Sequence, residues 1–210
     1  KKLGVPQYEI PLYEADDIIG TMALQAKNEG YVVDIYSSDK DLLQLVDDNV
    51  TVKLCKKGIQ EIDVYDKAGV VNRYGLKNTQ MIDLKALMGD PSDNLKGIPG
   101  VGEKTAIKLL LDYGSLENII AQKDNIKCKL GEKIKEHYED ALVCQKMVTI
   151  NRFSPIEITL EDTKYQGYNE EELKEFYQIL EFHSLAKKMK ASTNAFQYKI
   201  IDSAMELSDL

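Results

Sequence analysis

The chain has 210 residues, with 35 acidic against 27 basic side chains and a net charge of −8. A hydrophobic fraction of 43% supports one large packed domain rather than a disordered chain. No apolar run approaches the roughly 20 residues of a membrane span. The three cysteines, Cys55, Cys128 and Cys144, are odd in number and widely spaced, which excludes a zinc pattern and fits a reducing, cytoplasmic compartment.

In chain order, Pro11 precedes an acidic cluster, Glu14, Asp16 and Asp17, that opens a helix with apolar positions Ile18, Ile19, Met22 and Ala23. Acids in a first turn complement the helix dipole. Three in four residues exceed that need, because like charges repel. Residues 31–36 read as a strand of β-branched and aromatic side chains, followed by Asp39 and Asp41 and then by a helix over Leu42, Leu43, Leu45 and Val46. Those two aspartates therefore stand at the carboxyl end of a strand, the usual place for a site in an open α/β sheet. Residues 51–55 and 59–64 read as a hairpin around Lys57 and Gly58, and residues 66–74 and 79–88 as helices, with Gly75 a C-cap. Ser115 is an N-cap for 116–121, residues 129–150 read as one long helix, and Phe176, Leu180, Phe182, Leu185 and Met189 continue a helical apolar pattern. His137 and His183 sit in such amphipathic contexts and read as structural.

Between 88 and 106 lies the most informative stretch. Asp90 and Asp93 are three apart, a spacing that can hold a hard cation. Gly97, Pro99, Gly100 and Gly102 follow, then a helix from Glu103. The glycines permit positive φ and close approach of a ligand. The amides of Gly100, Val101 and Gly102, just before a helix, form a phosphate site. A dinucleotide fingerprint would follow a strand, whereas this segment follows a helix. A phosphate loop needs Gly-Lys-Ser/Thr, and Gly102 is followed by Glu103. Lys96, Lys104 and Lys108 flank the hairpin. A carboxylate-rich metal pocket, whose local field bound ions invert, accounts for part of the net negative charge.

Taken together, Tyr13-Glu-Ala-Asp-Asp-Ile-Ile-Gly20, Ser38-Asp-Lys-Asp-Leu-Leu-Gln-Leu45 and Gly89-Asp-Pro-Ser-Asp-Asn94 through Gly102-Glu-Lys-Thr-Ala106 resemble, in order and spacing, the 5′-nuclease (flap endonuclease) family found as a domain of bacterial DNA polymerase I. The resemblance covers essentially the whole chain. It implies that Glu14, Asp16, Asp17, Asp39, Asp41, Asp90 and Asp93 surround two divalent metals, Mg²⁺ with Mn²⁺ as a substitute, and that Asp39, Asp41, Asp90 and Asp93 are central to catalysis. It implies that Gly97, Gly100, Val101, Gly102, Lys104, Thr105 and Lys108 grip duplex DNA through its phosphates near a 5′ flap or 5′ end, with K⁺ bridging hairpin carbonyls and phosphate. The implied fold is α/β: a central, mostly parallel sheet flanked by helices, PIN/5′-nuclease-like, with a helical C-terminal subdomain containing a helix–hairpin–helix. The expected organisation is a nuclease core at 1–88, the helical subdomain at 89–190, and at 191–210 a linker and the first strand, 196–202, of a proofreading-like domain. Family members begin with a further aspartate-bearing strand and a basic arch. The match here starts at the linker before Glu14, so the expectation is an amino-terminally truncated unit with little activity of its own. The competing readings are a non-catalytic duplex-binding scaffold and a PIN-type metal-dependent RNase, against which the hairpin argues.

Overall fold

The computed structural model describes residues 2–56, 60–127 and 129–192. They divide into two compact units, one within residues 9–160 and one formed by residues 2–8 with 161–192. The turn at Lys57 and Gly58, Cys128 and the strand expected at 196–202 lie outside the described residues.

The larger unit opens with α1 (Ala15–Asn28) and β1 (Val33–Ser37). Alternation sets the faces of β1. Ile35 turns into the core, while Asp34 and Tyr36 face outward and share Lys53, whose Nζ lies 2.6 Å from the carboxylate and 3.1 Å from the phenol oxygen. β2 (Val50–Cys55) runs parallel to β1, and β3 (Ile62–Tyr65) runs antiparallel to β2. The sheet is thus mixed rather than mostly parallel. The link from β2 to β3 is too short for the crossover that a parallel neighbour requires. Between β1 and β2 the expected helix is only a 3₁₀ turn, Asp41–Leu45. Val46 returns to extended backbone and Asp47 bridges to Val50, so a longer helix has no room, yet Leu42, Leu43, Leu45 and Val46 are all buried.

Helices follow. α2 (Lys67–Tyr74) is capped by Asp66, which accepts from Gly69 N at 2.6 Å, and closed by Gly75 at φ 69°. A 3₁₀ turn, Asn78–Gln80, leads into α3 (Met81–Met88). A two-residue ladder joins β4 (Gly89–Asp90) to β5 (Leu95–Lys96). Then come α4 (Glu103–Tyr113), α5 (Leu116–Ala121), capped by Ser115, and α6 (Lys129–Val148). Asp83 is buried and ties three helices together, accepting from Leu116 N at 3.1 Å and Gln145 Nε2 at 2.7 Å. α6 stops two residues before its expected end because residues 148–151 are drawn elsewhere. Gln44 donates to Val148 O and accepts from Ile150 N, both at 3.0 Å, and Asp17 accepts from Asn151 N at 2.8 Å.

In the smaller unit, Tyr8 donates to Asp162 O at 2.6 Å and Lys2 pairs with Glu172. α7 (Glu170–Ile179) and α8 (His183–Ser192) form a helical pair, with Leu173 and Ala186 buried and Glu181 at φ 57° in the turn. The helical apolar pattern read from the sequence thus runs over two helices and the turn between them.

Candidate metal centre and nucleic-acid interface

Six of the seven expected carboxylates line one cavity of about 430 Å³: Glu14, Asp16, Asp17, Asp39, Asp41 and Asp93. They arrive from three places. Glu14 precedes α1, and Asp16 and Asp17 occupy its first turn. Asp39 and Asp41 follow β1 in a wound loop, where Ser37 Oγ accepts from Asp39 N at 3.0 Å and Asp39 Oδ1 accepts from Asp41 N at 2.8 Å. Asp93 sits between β4 and β5. Leu95 and residues 147–150, held by Gln44, complete the lining. Burial, and then the charges of Asp39, Asp41, Glu14 and Asp17, raise the pKa of Asp16 above the ordinary carboxylate value.

Asp90 does not line this cavity. It is buried and accepts from the amide and hydroxyl of Ser92. Lys85, from α3, bridges it to Asp41, with Nζ 2.7 Å from Asp90 Oδ2 and 3.0 Å from Asp41 Oδ1. The bond to Lys85, then those to Ser92, hold the Asp90 carboxyl far below its usual range. Burial pushes Asp41 up, against the pull of Lys85. Burial also disfavours the Lys85 charge, but the two carboxylates outweigh it and raise the lysine. Sequence reasoning missed Lys85. Its only signal was a charged residue inside the apolar run Leu84, Ala86, Leu87, Met88.

The donor set fits a hard divalent cation. Every group is a carboxylate oxygen, and Asp16 is raised first by burial and then by its four acidic neighbours. Among the described residues, no three acidic, histidine or cysteine groups converge closely enough to grip an ion directly. The cavity leaves room for the waters that Mg²⁺ retains. Neither histidine lines it.

The hairpin lies between α3 and α4. Its three glycines, grouped in the sequence as sources of positive φ, have different reasons to be there. Only Gly100 has a positive φ, 79°. Gly97 is needed for close packing, since a Cβ there would lie 2.3 Å from Gly89 N. Gly102 is extended, at φ −100°, and faces open space as the residue preceding α4. The Val101 amide is not free for a ligand, because it donates to Ile98 O at 3.0 Å and the residue is buried. Lys96, Lys104 and Lys108 are exposed, as expected. Lys133, unforeseen, donates to Pro99 O at 3.0 Å.

Two family models together match residues 1–171: the 5′-3′ exonuclease N-terminal resolvase-like domain over residues 1–75, and the 5′-3′ exonuclease C-terminal SAM fold over residues 76–171. DNA polymerase I of Bacillus caldotenax is 44% identical over 206 residues, covering 98% of this chain and 24% of that protein. DNA polymerase I of Geobacillus stearothermophilus is 48% identical over 198 residues, covering 92% and 22%. The chain therefore spans about a quarter of the length of these relatives. Among solved structures, the T5 D15 protein co-crystallised with metal ions matches with a TM-score of 0.61 at 23% identity, over 70% of this chain and 53% of that one. The catalytic core of Rad2 in complex with DNA substrate matches at 0.58 and 17% identity, over 90% and 64%. At these identities the two structures show a shared fold. Among the described residues, no helix is long and apolar enough to cross a membrane.

Proposed function

Because the chain belongs to the 5′-3′ exonuclease family, we propose that its carboxylate cavity is the metal centre of a 5′-nuclease and that its hairpin holds duplex DNA beside it. The observation that carries this reading is the convergence of six acids from three separate segments on one cavity. Glu14, Asp16, Asp17, Asp39, Asp41 and Asp93, joined by Asp90, hold two divalent ions, Mg²⁺ or Mn²⁺. When bound, such a pair supplies an activated water and stabilises the leaving oxygen of an in-line displacement. The chain's own groups position the phosphodiester. The amides at the start of α4, with Lys104, Thr105 and Lys108, take the duplex backbone, and the hairpin carbonyls hold K⁺. These contacts read phosphate and not bases, so the substrate is chosen by shape, a 5′ end or 5′ flap on a duplex. The metal ions and DNA named for the structural relatives accord with this chemistry.

On its own, we infer, this chain binds metal and duplex but cleaves weakly, because no three ligating groups converge closely among the described residues. The experiment is a 5′-labelled flap duplex incubated with the chain in millimolar Mn²⁺, beside a filter-binding titration of the same DNA. Salt-dependent, sequence-independent duplex binding with slow, Mn²⁺-dependent cleavage lost in Asp39→Asn is the expected result. Cleavage unaffected by Asp39→Asn would refute the metal centre. Binding without any cleavage at high enzyme would favour the scaffold reading.

A further inference from the structure

Resting on that reading of the cavity, we propose that Lys85 is a resident cation, which occupies the place between Asp41 and Asp90 in the metal-free protein and is displaced when a divalent ion binds. Its ammonium lies within 3.0 Å of one carboxylate and 2.7 Å of the other. Those two acids belong to different segments, the loop after β1 and the ladder after α3, so Lys85 is the clasp between them. Asp90, held by Ser92 as well as by Lys85, is the one of the seven acids absent from the cavity wall, while Asp41 lines it. An ion that draws Asp41 and Asp90 together with the others must take over their charge from the lysine, since both carboxylates cannot satisfy two cations at hydrogen-bonding distance without crowding like charges.

The lysine has somewhere to go. A second cavity of about 240 Å³ adjoins it, lined by Lys85 and Asp41 themselves and by Met81, Leu84, Met88 and Val148. This apolar wall suits a four-carbon stem. Glu103 also lines that cavity, its carboxylate paired with Arg73 at 3.1 Å, and gives the ammonium an acidic partner to share. Displacement is thus an exchange of partners rather than the stranding of a charge, which would be prohibitive in a partly buried site.

The test measures Mn²⁺ binding directly, by the loss of the free-ion signal in electron paramagnetic resonance, on the whole chain. Lys85→Gln and Lys85→Met are compared with wild type, each first checked for an unchanged far-ultraviolet circular dichroism spectrum. With no ammonium to displace, both variants bind Mn²⁺ roughly tenfold tighter than wild type. Their metal-free melting temperature falls, and the rise on adding Mn²⁺ is larger than in wild type. Asp39→Asn, which does not touch Lys85, weakens Mn²⁺ binding in wild type and in Lys85→Gln alike. Equal or weaker Mn²⁺ binding by both lysine variants, with Asp39→Asn still weakening it, overturns the displacement and leaves the metal centre standing. Absence of Mn²⁺ binding in every protein overturns the metal centre and the displacement with it.

Discussion

Gly97→Ala and Gly102→Ala should differ sharply, although the two glycines look alike in sequence. A Cβ at Gly97 would lie 2.3 Å from Gly89 N, 2.5 Å from Met88 C and 2.6 Å from Leu87 O. All three atoms are backbone and cannot rotate aside. Relief requires β5 to part from β4, which strains the Gly89–Lys96 pairing and the 2.9 Å bond from Ile98 N to Leu87 O. Two or three backbone hydrogen bonds at about 1 kcal/mol each, with an overpacking cost of about 1–3 kcal/mol, give a loss of roughly 3 kcal/mol or more. That is a large part of a typical total of about 5–15 kcal/mol. At Gly102 no atom lies within 4 Å of the added carbon and the backbone is extended. Gly102→Ala therefore costs only the step from a fair N-cap to a poor one, about 1 kcal/mol. Urea unfolding followed by far-ultraviolet circular dichroism measures both. Because β4 and β5 carry the Asp90–Asp93 loop, Gly97→Ala should also lose the Mn²⁺-dependent rise in melting temperature, while Gly102→Ala keeps it. Equal unfolding midpoints for the two variants would refute the packing argument.

Asp16→Asn should raise metal-free stability at pH 7, because the folded pKa of Asp16 lies above its unfolded value of 3.8 and the ionised group opposes folding. The sign follows directly: the gain is absent well below pH 3.8, where the acid is protonated in both states, and grows as pH rises through the folded pKa; thermal melts across that range check it. Lys104→Ala should weaken duplex binding equally for all sequences and reduce the salt slope by roughly one ion, read from binding isotherms at several salt concentrations. Asp83→Ala should cost about 1–3 kcal/mol in urea unfolding, since it leaves the Leu116 amide without its acceptor in a buried place, while the Gln145 amide group keeps Glu117 at 2.9 Å.

Much of the fold was legible because local signals agreed with packing. Asp66, Gly75 and Ser115 cap helices as their residue types suggest, and the helix expected from Glu103 begins there. The failures have physical causes at long range. Four apolar residues after Asp41 carry no mark that Asp47 will bridge to Val50 and stop a helix after a single 3₁₀ turn. Residues 149 and 150 continue the helical period of α6, yet Gln44, over a hundred positions away, takes the Ile150 amide. No window along the chain contains that competition.

The candidate site was legible to a different degree for its two charges. Carboxylates crowded in short segments announce themselves, because crowding costs stability and asks for a cation. The cation already present did not. Lys85 lies five residues before Asp90, a spacing that does not by itself place two side chains together on a helix, and Asp90 is past the end of α3. Their contact depends on the reversal at Gly89, with φ 76°, which turns β4 back beside the helix. Packing of α3 against the 3₁₀ turn after β1 brings Asp41 within reach of the same ammonium. A lysine drawn into an apolar helix face by two acids is therefore a consequence of topology. Its effect is to offset part of the negative charge beside the centre, with Asp90 clasped aside and six carboxylates lining the cavity.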